Sequence, residues 1–300
     1  MVYQYFNEEN GKIYAVKEIN IERLSKRVKD VSQKITTEIE LLSKLNHKNI
    51  VKYYGVFVED NNLNIIFEYC IGRSLSSLLN IFENFNENII RKYLIQILDG
   101  IEYLHSHNII HRDIKCANIL VNRDGICKLS DFGGAKILKG NYNDNKNLFE
   151  GTPNWMAPET IKKLENTRFS DIWSLGCTII EMIQGFPPWN NYKNPLSVLN
   201  IIYKSENPPE IPNNISNVLR DFLNKCLVME PKDRWNIYQL KKHAFVTGES
   251  FGSIYKNISM EITLNVDERS INNSRNFQVE KVKKNLRNVD NNTFEKDGLG

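Results

Sequence analysis

Three hundred residues, 41% hydrophobic and 25% charged, suffice to bury one or two sizeable cores, and a net charge of +3 is too mild and too scattered to argue for a nucleic-acid or membrane-surface partner. Five cysteines (Cys70, Cys116, Cys127, Cys177 and Cys226) are widely spaced, with no CxxC or Cys/His ligand spacing, and predict reduced, mostly buried thiols. No basic-then-apolar leader opens the chain and no apolar run approaches the roughly 20 residues of a membrane-spanning helix, so the expected location is the cytoplasm.

In chain order, Ile13 to Ile19 (IYAVKEI) predicts a strand, and Asn10-Gly11 before it is a turn signal, which makes this the second half of a hairpin. Ile35, Ile39, Leu42 and Leu45 then recur at helical spacing and predict an amphipathic helix with Glu38 near its middle. Two apolar runs, Ile50 to Val58 and Leu63 to Tyr69, read as strands. Beyond Gly72 the period changes: Ile90, Leu94, Ile97, Ile101 and Leu104 step by four, three, four and three along a helix with one apolar stripe. Strands early and helices late predict an α+β chain with a small sheet-rich lobe over about residues 1–70, a helical lobe over about 71–247 and a hinge at Glu68 to Gly72. From 248 to 300 the chain is rich in Asn, Ser, Glu and Lys, with eight acidic against eight basic residues, and is expected to be a polar, mostly disordered tail. Short strands or a helix around Phe277 to Leu286 remain open there.

Residues suited to chemistry concentrate in the middle. His111-Arg112-Asp113-Ile114-Lys115-Cys116-Ala117-Asn118 is followed, thirteen residues after Asn118, by Asp131-Phe132-Gly133. Either triplet alone is common by chance, but the two in this order and spacing resemble the eukaryotic protein kinases. Phosphoryl transfer needs a positioned hydroxyl, metal ions bridging phosphate oxygens, and cations facing the developing charge. The resemblance implies that Asp113 accepts the substrate hydroxyl proton, that Lys115 faces the γ-phosphate of ATP, and that Asn118 and Asp131 hold Mg2+ through hard oxygen ligands. It also matches Ala15-Val16-Lys17 to the strand lysine that contacts the α- and β-phosphates, and Glu38 to the helix carboxylate that pairs with that lysine, with Glu40 as the competing candidate. Phe67 then takes the gatekeeper position, Glu68 to Cys70 the segment whose backbone bonds adenine, and Ala15 and Leu120 the two faces of the base. Leu42, Tyr53, His111 and Phe132 fall where the family stacks an apolar spine, a role that core packing alone explains equally well.

Gly151-Thr152-Pro153-Asn154-Trp155-Met156-Ala157-Pro158-Glu159 closes the family's activation segment, and Thr152 together with Lys115 marks the Ser/Thr branch. The family pattern implies a partly buried ion pair between Glu159 and Arg234, and a bracing role for Asp171 beneath the catalytic-loop backbone. HRDIKCANILV, DFGGAK, GTPNWMAPE, DIWSLGCTIIEM and GFPPW look most like the MAP kinase kinase kinase group, which implies protein substrates such as MAP kinase kinases. The oligomeric state is not legible.

Two departures stand out. Val2 aligns with the valine that ends the family's glycine-rich loop, so the loop and first strand are missing, as in a fragment of a longer protein or in a truncated form with weakened ATP binding; the alternative function is then a pseudokinase-like scaffold. Between Gly134 and Glu150 there is no Ser or Thr, only Tyr142, so Glu150 or Asp144 is expected to supply to Arg112 the negative charge that a phosphate gives elsewhere. Gly248 to Lys256 (GESFGSIYK) echoes a glycine-rich loop, but no A-x-K follows it, and it is read as coincidence.

Overall fold

The computed structural model describes residues 1–20, 36, 38–138, 151–163 and 165–248. The expectations for Tyr142, Asp144, Glu150 and the 249–300 tail lie outside the described residues. The chain divides into two compact units, one holding described residues 1–20 and 52–69, the other the described residues of 34–51 and 70–248.

The first unit is a four-stranded antiparallel sheet of β1 (Val2–Asn7), β2 (Lys12–Asn20), β3 (Tyr53–Glu59) and β4 (Asn62–Glu68), in the order β1-β2-β4-β3. The β1–β2 turn is closed by Asn7, whose Oδ1 accepts the amides of Glu9 and Asn10 at 2.9 and 3.1 Å. The β3–β4 turn puts Asp60 and Asn61 at φ +45° and +61°, the pair of left-handed residues a two-residue hairpin favours, supplied by the side-chain types that tolerate them best. The strand expected from Ile50 begins instead at Tyr53. Ile50 forms a parallel bridge with Leu129, the Ile50 amide donates to His47 O at 3.1 Å and the Val51 amide to Leu129 O at 2.9 Å, so both amides of 50–51 are already satisfied in the second unit. A bulge between Tyr53 and Gly55 follows, with Tyr53 stacking edge-on against Phe67 and Tyr54 against Tyr14.

The second unit is mostly helical: α1 (described over 38–42), α2 (Leu75–Phe82), α3 (Glu87–Ser106), α4 (Pro158–Lys162), α5 (Arg168–Gln184), α6 (Pro195–Lys204), α7 (Asn217–Cys226), α8 (Ile237–Lys241) and α9 (Ala244–Thr247). Two short ladders lie among them: β5 (Ile109–Ile110) with β8 (Lys136–Ile137), and β6 (Ile119–Val121) with β7 (Cys127–Leu129). The stripe read on α3 is buried: Ile90, Leu94, Ile97, Ile101 and Leu104 are all at most 1% exposed. α5 is buried all round from Ser170 to Met182. Its buried hydroxyls are satisfied, Ser174 Oγ by Ser170 O and Trp155 O, and Thr178 Oγ1 by Ser174 O and Ile114 O, while the Trp173 indole Nε1 is buried without a hydrogen-bond partner. All five cysteines are buried free thiols, as expected. The architecture is α+β, a sheet unit followed by a helical one.

Candidate active site

The site is built outward from α5. Asp171, fully buried, accepts the backbone amides of His111 (Oδ2, 3.0 Å) and Arg112 (Oδ1, 2.9 Å), and the His105 ring at 2.8 Å on Oδ2. Burial alone would raise this carboxyl; the His105 bond and charge and the His111 contact overcome it and hold Asp171 below the usual carboxylate range. The loop can then afford a left-handed Arg112 (φ +69°), whose guanidinium also donates through Nε to Gly134 O. His111 is fully buried and kept neutral, with burial lowering its pKa. Its Nδ1 accepts the Asp113 amide, so Nε2 carries the proton to Ser130 O at 3.0 Å, and the ring lies 5.0 Å from Phe132.

This frame sets out Asp113, Lys115 and Asn118. Asp113 Oδ1 accepts the Thr152 hydroxyl at 2.7 Å, while Oδ2 accepts Asn118 Nδ2 at 2.7 Å and Lys115 Nζ at 2.8 Å. Lys115 Nζ also donates to Thr152 Oγ1, which closes a ring of three side chains. Asn118 Nδ2 is further tied to Asp113 O at 2.9 Å, which fixes the amide and leaves its oxygen as a free acceptor among the described residues. The β6–β7 ladder carries Asn118 to Asp131: Ser130 donates to Asn118 O through both its amide (2.9 Å) and its hydroxyl (3.0 Å). Asp131 is exposed and left-handed (φ +60°). A Cβ on Gly133 would stand 3.6 Å from both Asp131 Oδ1 and Glu38 Oε1, so both carboxylates lie beside Gly133. An amide oxygen and a carboxylate are the hard donors Mg2+ takes when phosphates and water complete its shell, so these residues fit that ion.

The remaining expected residues divide between the units. In the first, Val2 pairs with Lys17 and Ala15 with Phe67, and with the period of two this sets Val2, Ala15, Lys17 and Phe67 on one sheet face. Glu68 ends β4. In the second, Cys70 is buried, and Leu120 sits in β6 beside the bridge from Ser74.

Glu159 and Arg234 form a bidentate pair at 2.9 and 3.2 Å, with side chains 1% and 0% exposed, more deeply buried than the sequence suggested. Ser170 Oγ, Val228 O and Phe169 O satisfy their remaining capacity. Sequence reasoning missed the direct Thr152–Asp113 bond, Ser130, and Glu181, whose Oε2 accepts the Cys116 amide and the Trp155 indole Nε1 at 3.1 Å each. Glu181 had one usable signal: a lone carboxylate in the apolar run Ile179-Ile180-Glu181-Met182.

Residues 1–246 match the protein kinase domain family. The chain is 44% identical over 247 residues to mitogen-activated protein kinase kinase kinase A of Dictyostelium discoideum, covering 82% of this chain and 26% of that protein. It is 42% identical over 263 residues to mitogen-activated protein kinase kinase kinase 2 of Arabidopsis thaliana, covering 86% and 40%. It is 43% identical over 245 residues to cell division control protein 7 of Schizosaccharomyces pombe, covering 82% and 22%. The chain thus spans less than half the length of these relatives.

Proposed function

The chain belongs to the protein kinase domain family, and from that premise we propose that it is a Ser/Thr protein kinase of the MAP kinase kinase kinase group, with the catalytic domain over residues 1–247. Kinases of this family use ATP and a divalent metal ion. The observation that carries the reading is Asp113 Oδ1 accepting an alcohol, the Thr152 hydroxyl, at 2.7 Å, because a general base has to accept a hydroxyl in this geometry. Asp113 takes the proton of the incoming Ser or Thr hydroxyl as the hydroxyl oxygen attacks the γ-phosphorus, the bond from that phosphorus to the β–γ bridging oxygen breaks, and ADP leaves with the electron pair. Lys115, now paired to Asp113, turns its ammonium to the charge developing on the transferring group. Asn118 and Asp131 would hold Mg2+, which would supply positive charge to offset that of the phosphates. Lys17 contacts the α- and β-phosphates with Glu38 as its partner, Val2, Ala15, Phe67 and Leu120 line the nucleotide, and the Glu68–Cys70 backbone bonds adenine.

Asp113, Lys115, Asn118 and Asp131 are all present, and among the described residues no geometric feature favours the alternative of a scaffold without turnover. Relatives named MAP kinase kinase kinases support a MAP kinase kinase as the protein substrate, and a cytoplasmic location belongs to the same reading. Asp113→Asn should lower kcat for transfer to a protein substrate by about a hundred- to ten-thousand-fold, the range of a lost general base, with an unchanged melting temperature. An Asp113→Asn protein with wild-type kcat would overturn the reading.

A further inference from the structure

The face of the four-stranded sheet opposite Val2, Ala15, Lys17 and Phe67 is rich in tyrosine. Tyr5 of β1 stands directly across from Tyr14 of β2, Tyr3 stands across from Val16, and the Tyr54 ring in the β3 bulge meets Tyr14 edge-on at 5.2 Å and 89°. Tyr3 and Tyr54 are 43% and 40% exposed, so the aromatic surface is open to a partner. Among the described residues the Tyr5 and Tyr54 hydroxyls make no hydrogen bond, while Tyr14 Oη accepts Asn10 Nδ2 at 3.0 Å and keeps its own proton to donate.

Carboxylates surround these rings. Glu18 Oε1 accepts the Tyr3 hydroxyl at 3.3 Å. Burial and then the charges of Glu8, Glu9 and Glu59 raise the Tyr5 phenol, and burial and then Glu68 raise that of Tyr54. Against these stand the ammonium groups of Lys12, paired with Asn7 at the end of the β1–β2 ladder, and Lys52. Lys52 Nζ lies over the Tyr54 ring, 5.1 Å from its centre, so a tyrosine of this face already receives a cation. The excess of negative charge repels nucleic acid and anionic lipid, and a second copy of the same face would set carboxylate against carboxylate. A cationic segment is the complement. Rings at right angles leave slots that a proline ring fills, and a polyproline helix has no internal hydrogen bonds, so its carbonyls are free to accept tyrosine hydroxyls.

We propose that this tyrosine face is a docking surface for a proline-rich segment bearing arginine or lysine, with prolines packed between the Tyr5, Tyr14 and Tyr54 rings and the basic side chains meeting Glu8, Glu9 and Glu59. The surface lies on the other side of the sheet from the residues proposed to line the nucleotide, so it stands whether or not the chain transfers phosphate.

The test titrates the full chain, as wild type, Tyr54→Ala and Glu8→Lys/Glu9→Lys, with a peptide of consecutive prolines carrying an arginine at each end, read by calorimetry and by the NMR signals of the tyrosine rings. The peptide should bind the wild type and shift the Tyr5, Tyr14 and Tyr54 signals. Tyr54→Ala should weaken binding by about tenfold or more, the size of a lost aromatic anchor. Glu8→Lys/Glu9→Lys should weaken it by about threefold or more and reduce its dependence on salt. That variant alters exposed side chains alone, so it reads the charge contribution even if Tyr54→Ala does not fold. A peptide with glutamate at both ends should not bind, and one with glycine and serine in place of proline should bind about tenfold more weakly, having lost its preformed backbone. No binding of the proline-arginine peptide, equal binding of either control peptide, or unchanged binding by Glu8→Lys/Glu9→Lys overturns the proposal. A wild-type chain that sediments as a dimer and becomes a monomer in folded Tyr54→Ala also overturns it, and gives the face to a second copy.

Discussion

Asp171 shows how one buried carboxylate organises chemistry it does not perform. Three donors converge on it, two of them backbone amides of the loop that presents Asp113, so Asp171→Ala strands those amides in the core. Leaving a buried donor unpaired costs about 1–3 kcal/mol, and the variant should melt lower and lose activity together. The signs of the shifts at Asp171 and His111 give a pH dependence. His111 is lowered from 6.5, so the unfolded chain binds its proton first, and stability present above about pH 6.5 declines as the solution is acidified. Asp171 is lowered too, so its contribution holds above the ordinary Asp range and is lost as pH falls through its folded value. Melting curves between pH 8 and 5 should therefore fall on the acid side, and His111→Phe should flatten that fall; an unchanged slope would show that another group titrates. The residues proposed to touch substrate were named from the sequence because their chemistry restricts them to a few types at fixed short spacing. Glu181 and Ser130 were not, because their partners are remote in sequence and only the fold brings them together.

At the scale of elements, the Glu159–Arg234 pair locks the end of the 151–159 segment to the helical unit. Because both side chains are buried and every donor is used, removing one partner leaves an uncompensated charge. Arg234→Met should destabilise by about 3–5 kcal/mol, and Glu159→Gln/Arg234→Met should recover part of that loss, both read by chemical denaturation. Gly185 closes α5 in a left-handed turn (φ +83°), and a Cβ there would stand 2.1 Å from Glu83 O. Gly185→Ala should therefore move the α2–α5 junction and lower the melting temperature even though the site is distant. The α3 helix was legible from its apolar stripe because a helix packed along one side writes its period into the sequence. The strand start at Ile50 was not. Apolar residues 50–51 satisfy a ladder with either unit, and the choice of Leu129 as partner depends on contacts far along the chain.

For the whole molecule, the sheet unit carries Val2, Ala15, Lys17 and Phe67 on one face, and the helical unit carries Asp113, Lys115 and Asn118 on one loop, with Asp131 following Ser130, which is bonded to Asn118 O. The order of strands then helices made the α+β class readable, since each period persists over many residues. The allotment of the described residues of 34–51 to the helical unit was not readable, because an amphipathic helix shows which side it buries and not against what. In the proposed reaction the Asp113 loop, with metal at Asn118 and Asp131, transfers the γ-phosphoryl of ATP to a protein hydroxyl. The most direct measurement is identification of phosphorylated residues by mass spectrometry after incubating a purified MAP kinase kinase with ATP, Mg2+ and either the full chain or its Asp131→Asn variant. Phosphoserine or phosphothreonine should form with the wild-type chain only, and none when Mg2+ is chelated; phosphate appearing equally with Asp131→Asn, or only on tyrosine, would contradict the proposed reaction.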